Sequence, residues 1–175
     1  MKIRTGPNGT RLALAAITLA LGFTLAGRAA AADAGWMSWN AGLKRAAEKQ
    51  RPVLVDVYTD WCGWCKRMDR DVYARPDVRD YLAQHFVAIR LNAESAEATS
   101  YEGRQYNGRT LAMRFGISGY PTTIFLRPNG EHLVNVPGYV AADQFLLLLR
   151  YIGDGHMDHG ESFESFAKTS GGARQ

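Results

Sequence analysis

Trp61-Cys62-Gly63-Trp64-Cys65-Lys66 constrains this chain more than any other stretch. It holds the only 2 cysteines in 175 residues, separated by a single dipeptide. An apolar, β-branched run, Val53-Leu54-Val55-Asp56-Val57-Tyr58, precedes them, and a stretch of helical character follows. A buried strand, a sharp turn and a Cys-x-x-Cys at the start of a helix make the layout of a thiol–disulfide exchange centre. Residues three apart on a helix share a face, so the two sulfurs can meet as a disulfide with little backbone movement. A helix that begins near Cys62 turns its dipole and unpaired first-turn amides toward that sulfur. Both favour the thiolate, which is the nucleophilic form. Cys65, one turn inward, is expected to be more buried and less ionised. Cys62 is therefore assigned the attack on a partner disulfide, and Cys65 the resolution of the mixed disulfide. Two other uses of the pair compete. A half zinc site needs about two further ligands, and the candidates are His85, His132, His156 and His159. An inert structural disulfide would close a very small loop and add little stability.

The first residues bear on compartment. Met1-Lys2-Ile3-Arg4 and Arg11 form a basic start, Leu12 to Ala26 is an almost unbroken apolar stretch, and Ala29 to Ala32 offers small residues for cleavage. That order reads as a secretory signal peptide over residues 1–32, with export to the periplasm. The apolar stretch falls short of the roughly 20 residues that a membrane span needs, and an uncleaved anchor is the alternative. The chain holds 21 Lys+Arg against 17 Asp+Glu, but Lys2, Arg4, Arg11 and Arg28 all lie in the leader, which has no acid. The remainder is formally neutral, so charge supplies no argument for nucleic acid as a partner. A single cysteine pair is too little for a disulfide scaffold, which favours a chemical role for it.

The residues after the leader alternate between helical and strand patterns. Helices are predicted over Trp36–Gln50, Cys62–Tyr73, Pro76–Gln84, Thr110–Phe115 and Ala142–Ile152. Strands are predicted over Val53–Tyr58, Phe86–Leu91, Thr122–Leu126 and His132–Val136, the last two joined by the turn Pro128-Asn129-Gly130. Ala93 to Gly108 is polar and small, a loop or weak helix. Residues 153–175 read as a loose tail with one short amphipathic piece, Phe163–Ala167. His156 and His159 would lie solvated within it. Strand–helix–strand units favour parallel pairing with right-handed crossovers, and the final hairpin adds antiparallel strands. The expected class is α/β, a mixed four- to five-stranded sheet with helices on both faces.

Four features together resemble the thioredoxin superfamily over about Trp36 to Ile152: the cysteine motif, Asp56 six residues before Cys62, Gly119-Tyr120-Pro121-Thr122, and Pro128-Asn129-Gly130-Glu131 with the later Gly138. The phrase Cys65-Lys66-Arg67-Met68-Asp69 is similar to exported thioredoxin-like proteins such as the C-terminal domain of the disulfide reductase DsbD. The resemblance implies a thioredoxin fold over residues 33–152. It implies a cis bond before Pro121, which would turn neighbouring main-chain groups outward for an extended substrate segment. It also implies a buried Asp56 with raised proton affinity that accepts the Cys65 proton during exchange. Arg90 falls where the family keeps a cation near that acid. Trp61, Gly63, Trp64, Tyr120 and Pro121 are the expected substrate-binding residues. Trp61 is expected beside the sulfurs or in the core, Trp64 exposed, and Lys66 either near a thiolate or solvated.

The function these residues imply is periplasmic thiol–disulfide exchange, in the reductase or isomerase direction, through a Cys62/Cys65 couple. Its partners would be protein thiols and disulfides and a membrane-fed electron donor, with no cofactor beyond the disulfide itself and no assigned metal. The alternatives are a client-binding module with little turnover and a copper-handling thiol protein.

Overall fold

The computed structural model describes residues 35–171, so the signal peptide expected over residues 1–32 lies outside the described residues, as do residues 33–34 and 172–175. Its elements are α1 (Trp39–Lys49), β1 (Val53–Tyr58), α2 (Gly63–Met68), a π-helical turn (Asp69–Tyr73), α3 (Pro76–His85) and β2 (Val87–Asn92). Then come β3 (Thr99–Tyr101), β4 (Arg104–Tyr106), α4 (Gly108–Arg114), β5 (Thr122–Leu126), β6 (His132–Pro137), α5 (Ala142–Gly153) and α6 (Phe163–Gly171). The main sheet has the order β2-β1-β5-β6, and β3 pairs with β4 apart from it.

β1 lies at the centre because it is apolar on both faces. Val53, Val55 and Val57 enter a cluster with Trp39, Ile89, Leu111, Phe115 and Ile124. Leu54 points the other way, into a cluster with Met68, Val72, Leu82, Phe125, Phe145 and Leu149. Alternate side chains of a strand take opposite faces, so Asp56 shares the face of Leu54. α5 supplies that side with Phe145, Leu146, Leu149 and Ile152 at helical spacing.

β1 runs parallel to β2 and antiparallel to β5, which runs antiparallel to β6. A parallel return after α4 does not occur. β5 starts at the sheet end where β2 stops, so the connection between them never has to traverse the sheet. This places Thr122 opposite Val57, and so sets Tyr120 and Pro121 at the same sheet end as the cysteine motif.

Three segments depart from expectation. Ala93 to Gly108 is neither plain loop nor helix: it carries the β3–β4 hairpin. Its turn residues Glu102 and Gly103 both have positive φ, 48° and 74°, the geometry that suits a two-residue hairpin turn. α1 anchors it, since Trp39 Nε1 donates to Ser100 O at 3.0 Å and Ser100 N donates to Asn40 Oδ1 at 2.9 Å. The helix expected over Cys62–Tyr73 changes pitch after Met68 into the π-turn. Residues 154–171, within the expected loose tail, are ordered against α5. α6 buries Phe166, Tyr151 Oη donates to Glu161 O at 2.5 Å, and His156 pairs with Glu161 at 2.8 Å beside the Phe166 ring. His159 is exposed.

Gly108 starts α4, behind an Asn107–Thr110 capping box. A Cβ at Gly108 would lie 2.1 Å from the Asn92 carbonyl oxygen, a backbone atom that cannot swing aside. Gly108→Ala is therefore expected to destabilise the fold by about 1–3 kcal/mol, as for other overpacked sites. A urea midpoint equal to that of the unchanged chain would show that the α4–β2 approach is looser than this.

Candidate active site

Cys62 is the N-cap residue of α2, and Cys65 lies on the buried face of that helix with Met68. The two are joined as a disulfide, with S–S 2.08 Å and Cα–Cα 5.3 Å. Cys65 N–H donates to Cys62 Sγ at 3.0 Å. That amide belongs to the first helical turn and has no partner inside the helix, so the fold aims a donor at the sulfur expected to become a thiolate. The expectation of a deeper Cys65 is corrected: each cysteine is 4% exposed.

The flanking aromatics separate into two contacts. Trp61 is 68% exposed, so core filling is ruled out for it. Its Nε1 donates to Glu94 Oε1 at 3.0 Å, and its ring meets Tyr120 edge-on with centroids 6.1 Å apart. Trp64 is 55% exposed, as expected, but it is not free. Its ring leans on Tyr139 at 5.6 Å. The Arg67 guanidinium lies 5.1 Å from the Trp64 centroid and 5.3 Å from that of Tyr139. Gly63 has open space where a Cβ would be, so no close packing requires glycine there. Lys66 is exposed.

The Tyr120–Pro121 peptide bond is cis. Pro121 O accepts from Gly138 N at 2.8 Å, whereas the Tyr120 N–H and C=O enter no backbone hydrogen bond among the described residues. Beside them runs a groove of about 410 Å³ lined by Ile117, Gly119, Tyr120, Pro121, Pro137 and Gly138.

Beneath the motif lies a charged pair in an apolar setting. Asp56 is 2% exposed. Its cross-strand neighbours are Arg90 on β2 and Thr123 on β5. Arg90 Nη2 lies 3.3 Å from Asp56 Oδ2. Tyr73 Oη donates to Asp56 Oδ1 at 3.4 Å and lies 3.4 Å from Thr123 Oγ1. Burial pushes the Asp56 carboxyl above the ordinary carboxylate range, while the charge and hydrogen bond of Arg90 and the Tyr73 hydroxyl pull it part of the way back. The Tyr73 hydroxyl is held well above its usual range, mainly by burial and then by the Asp56 charge. Arg90 also donates to Asp69 Oδ1, and sequence reasoning gave Asp69 no role. The available signal was its place four residues after Cys65, one turn along the same helix. Among the described residues no cluster of three or more His, Cys, Asp or Glu side chains could hold a metal, and His85, His132, His156 and His159 do not converge on the cysteine pair.

A mixed sheet whose central strand feeds a helix-capping disulfide, beside a cis-proline loop and above a buried acid, defines a thioredoxin-like protein. The chain belongs to the thioredoxin-like domain family, whose model matches residues 39–153. It is 33% identical over 109 residues to the thiol:disulfide interchange protein DsbD of Haemophilus ducreyi, and 35% identical over 109 residues to that of Ralstonia nicotianae. These matches take in 61% and 62% of this chain but only 17% and 16% of the relatives. A thioredoxin from Thermus thermophilus superposes with a TM-score of 0.58 at 26% identity, over 72% of this chain and 92% of the thioredoxin.

Proposed function

We propose that this chain is a thiol–disulfide oxidoreductase that exchanges its Cys62–Cys65 disulfide with cysteines of protein substrates in the periplasm, in the reductase or isomerase direction. The observation that carries this reading is the helix-capping disulfide next to an unpaired stretch of main chain at Tyr120. In the reducing direction the Cys62 thiolate attacks one sulfur of a substrate disulfide. That bond breaks, a mixed disulfide forms, and the released substrate thiolate takes up a proton. Cys65 passes its proton to Asp56, and the new thiolate attacks Cys62 Sγ. The second substrate thiolate leaves, and the protein ends as the Cys62–Cys65 disulfide. Two electrons have passed to the substrate. A dithiol donor, fed from the membrane in an oxidising compartment, must return them.

Placement supports Asp56 as the proton acceptor. Cys65 and Met68 are the buried residues of α2, Met68 packs with Leu54, and Asp56 shares the Leu54 face of β1. The substrate segment would lie along Tyr120 and Pro121 and pair with the free Tyr120 main-chain groups in the manner of strand addition. Trp61 and Trp64 would flank it. The basic, apolar leader supports export, and among the described residues no helix is long and apolar enough to cross a membrane.

Insulin reduction with a small dithiol as donor tests the reading, together with the equilibrium potential of the cysteine pair. A potential near about −270 mV matches thioredoxin-type reductants, and one near about −120 mV a strong oxidant. Binding of unfolded clients without turnover would replace the enzyme reading by that of a binding module. Tight stoichiometric copper on the reduced protein would replace it by metal handling.

A further inference from the structure

The Asp56–Arg90 pair has a third member. Asp69 opens the π-turn, and its Oδ1 accepts from the same Arg90 Nη2 that lies 3.3 Å from Asp56 Oδ2. Two carboxylates thus engage one guanidinium nitrogen. They differ in their access to water, the Asp56 side chain being 2% exposed and that of Asp69 41%. Arg90 is held from the sides by the rings of Trp36 and Tyr58, at 4.8 and 5.2 Å from its guanidinium carbon. Its Nε is buried with no acceptor among the described residues, and its ion pairs with both acids go through the nitrogen they share. Asp69 and Tyr73 are the first and last residues of the π-turn, and both meet the pair: Asp69 through Arg90, Tyr73 through Asp56. π-turns recur at functional sites because their wider pitch re-aims side chains.

We propose that Asp69 is a positioning residue of the redox site: by sharing Arg90 with Asp56, it holds the guanidinium in a bridging place and withholds part of its charge from the buried carboxylate. The proposal deepens the exchange reading, in which Asp56 takes the Cys65 proton. A carboxylate that owned the whole guanidinium would be a weak base toward a thiol. One that shares it keeps more of its proton affinity. The groups facing Asp56 are Arg90 from β2, Tyr73 from the π-turn and Thr123 from β5, which does not titrate. The cysteines do not titrate while they are disulfide-bonded. Asp71, on the same turn, pairs with Arg67 and Arg70 rather than Arg90, and so provides a control of equal charge.

The test is an NMR titration of the Asp56 carboxyl carbon in the full oxidised chain. Asp69→Asn is expected to lower the Asp56 midpoint by about one pH unit, because it removes a nearby like charge and frees Arg90 for Asp56. Asp71→Asn is expected to leave the midpoint in place. Methionine offers neither charge nor donor, so in an Arg90→Met background the Asp69→Asn shift should fall to less than half, the signature of coupling through Arg90. An unmoved midpoint in Asp69→Asn, or equal shifts from Asp69→Asn and Asp71→Asn, overturns the proposal. The titration is read without turnover. A chain that fails to reduce insulin yet shows these shifts would lose the exchange reading and keep the Asp69–Arg90–Asp56 coupling.

Discussion

Cys62→Ser is expected to bring insulin reduction down to the rate of the dithiol donor alone. Cys65→Ser is expected to lose turnover just as completely while still forming a mixed disulfide. The asymmetry follows from position. Cys62 caps α2 and receives the Cys65 amide, so in the proposed exchange its sulfur is the one expected to carry the charge and make the first bond. Cys65 lies on the buried helical face and acts only once that bond exists. A serine oxygen cannot attack a disulfide under these conditions, because thiolate character sets the rate. The check is non-reducing electrophoresis of each variant with a disulfide-containing client, followed by mass spectrometry of the adduct. Trapping by Cys62→Ser instead of Cys65→Ser would reverse the roles. Substantial turnover in either variant would remove the pair from the chemistry.

Asp56→Asn is expected to act in opposite directions on stability and on rate. The folded state holds this carboxyl above the ordinary aspartate value, chiefly because burial disfavours the charged form. A group raised on folding contributes its full stability below its unfolded pKa and loses that contribution as pH rises through the folded value. The native chain therefore carries a burial penalty at neutral pH that an uncharged asparagine avoids. Each unit by which the pKa is raised corresponds to about 1.4 kcal/mol. The stability gained by Asp56→Asn should be absent near pH 3, grow as pH rises above about 4, and level off once Asp56 is ionised in the native fold. Arg90 keeps Asp69 as a partner in the variant, which limits the opposing cost of an unpaired guanidinium. The rate should fall, since positioned proton transfer contributes about 10²–10⁴-fold. The loss should show as slow resolution of the mixed disulfide rather than slow formation. Urea unfolding of both proteins across this pH range reads the first effect, and single-turnover release of a fluorescent client reads the second. A stability difference that is flat with pH would mean that Asp56 titrates as it does in the unfolded chain. Unchanged resolution would take it out of the proton path.

Much of this site is local and could be read from the residues. The cysteine spacing, the capping position of Cys62 and the run Val53–Tyr58 each specify their own conformation within a few residues. The buried acid and its cation, Asp56 and Arg90, were legible through family resemblance alone, since nothing adjacent in sequence says that β1 and β2 align them. Less could be read where structure comes from distant partners. Ala93 to Gly108 has no clear apolar alternation, and its hairpin depends on hydrogen bonds from Trp39 and Asn40 on α1. The tail helix α6 owes its order to Tyr151 and His156, which pack against Phe166. The pitch change after Met68 has no marker such as Gly or Pro. It accompanies the placement of Asp69 and Tyr73 on a charged pair carried by two other strands.

By itself, then, the sequence determined that there is one disulfide couple, which cysteine caps the helix, and which strand is buried on both faces, because covalent spacing and side-chain chemistry act over a few residues. Only the tertiary structure decided that β5 returns antiparallel and sets Tyr120 against Trp61, and that one guanidinium serves two carboxylates. Those arrangements depend on strand register and on burial. Both are properties of segments far apart in the chain, and they acquire their energetic meaning only when water has been excluded between them.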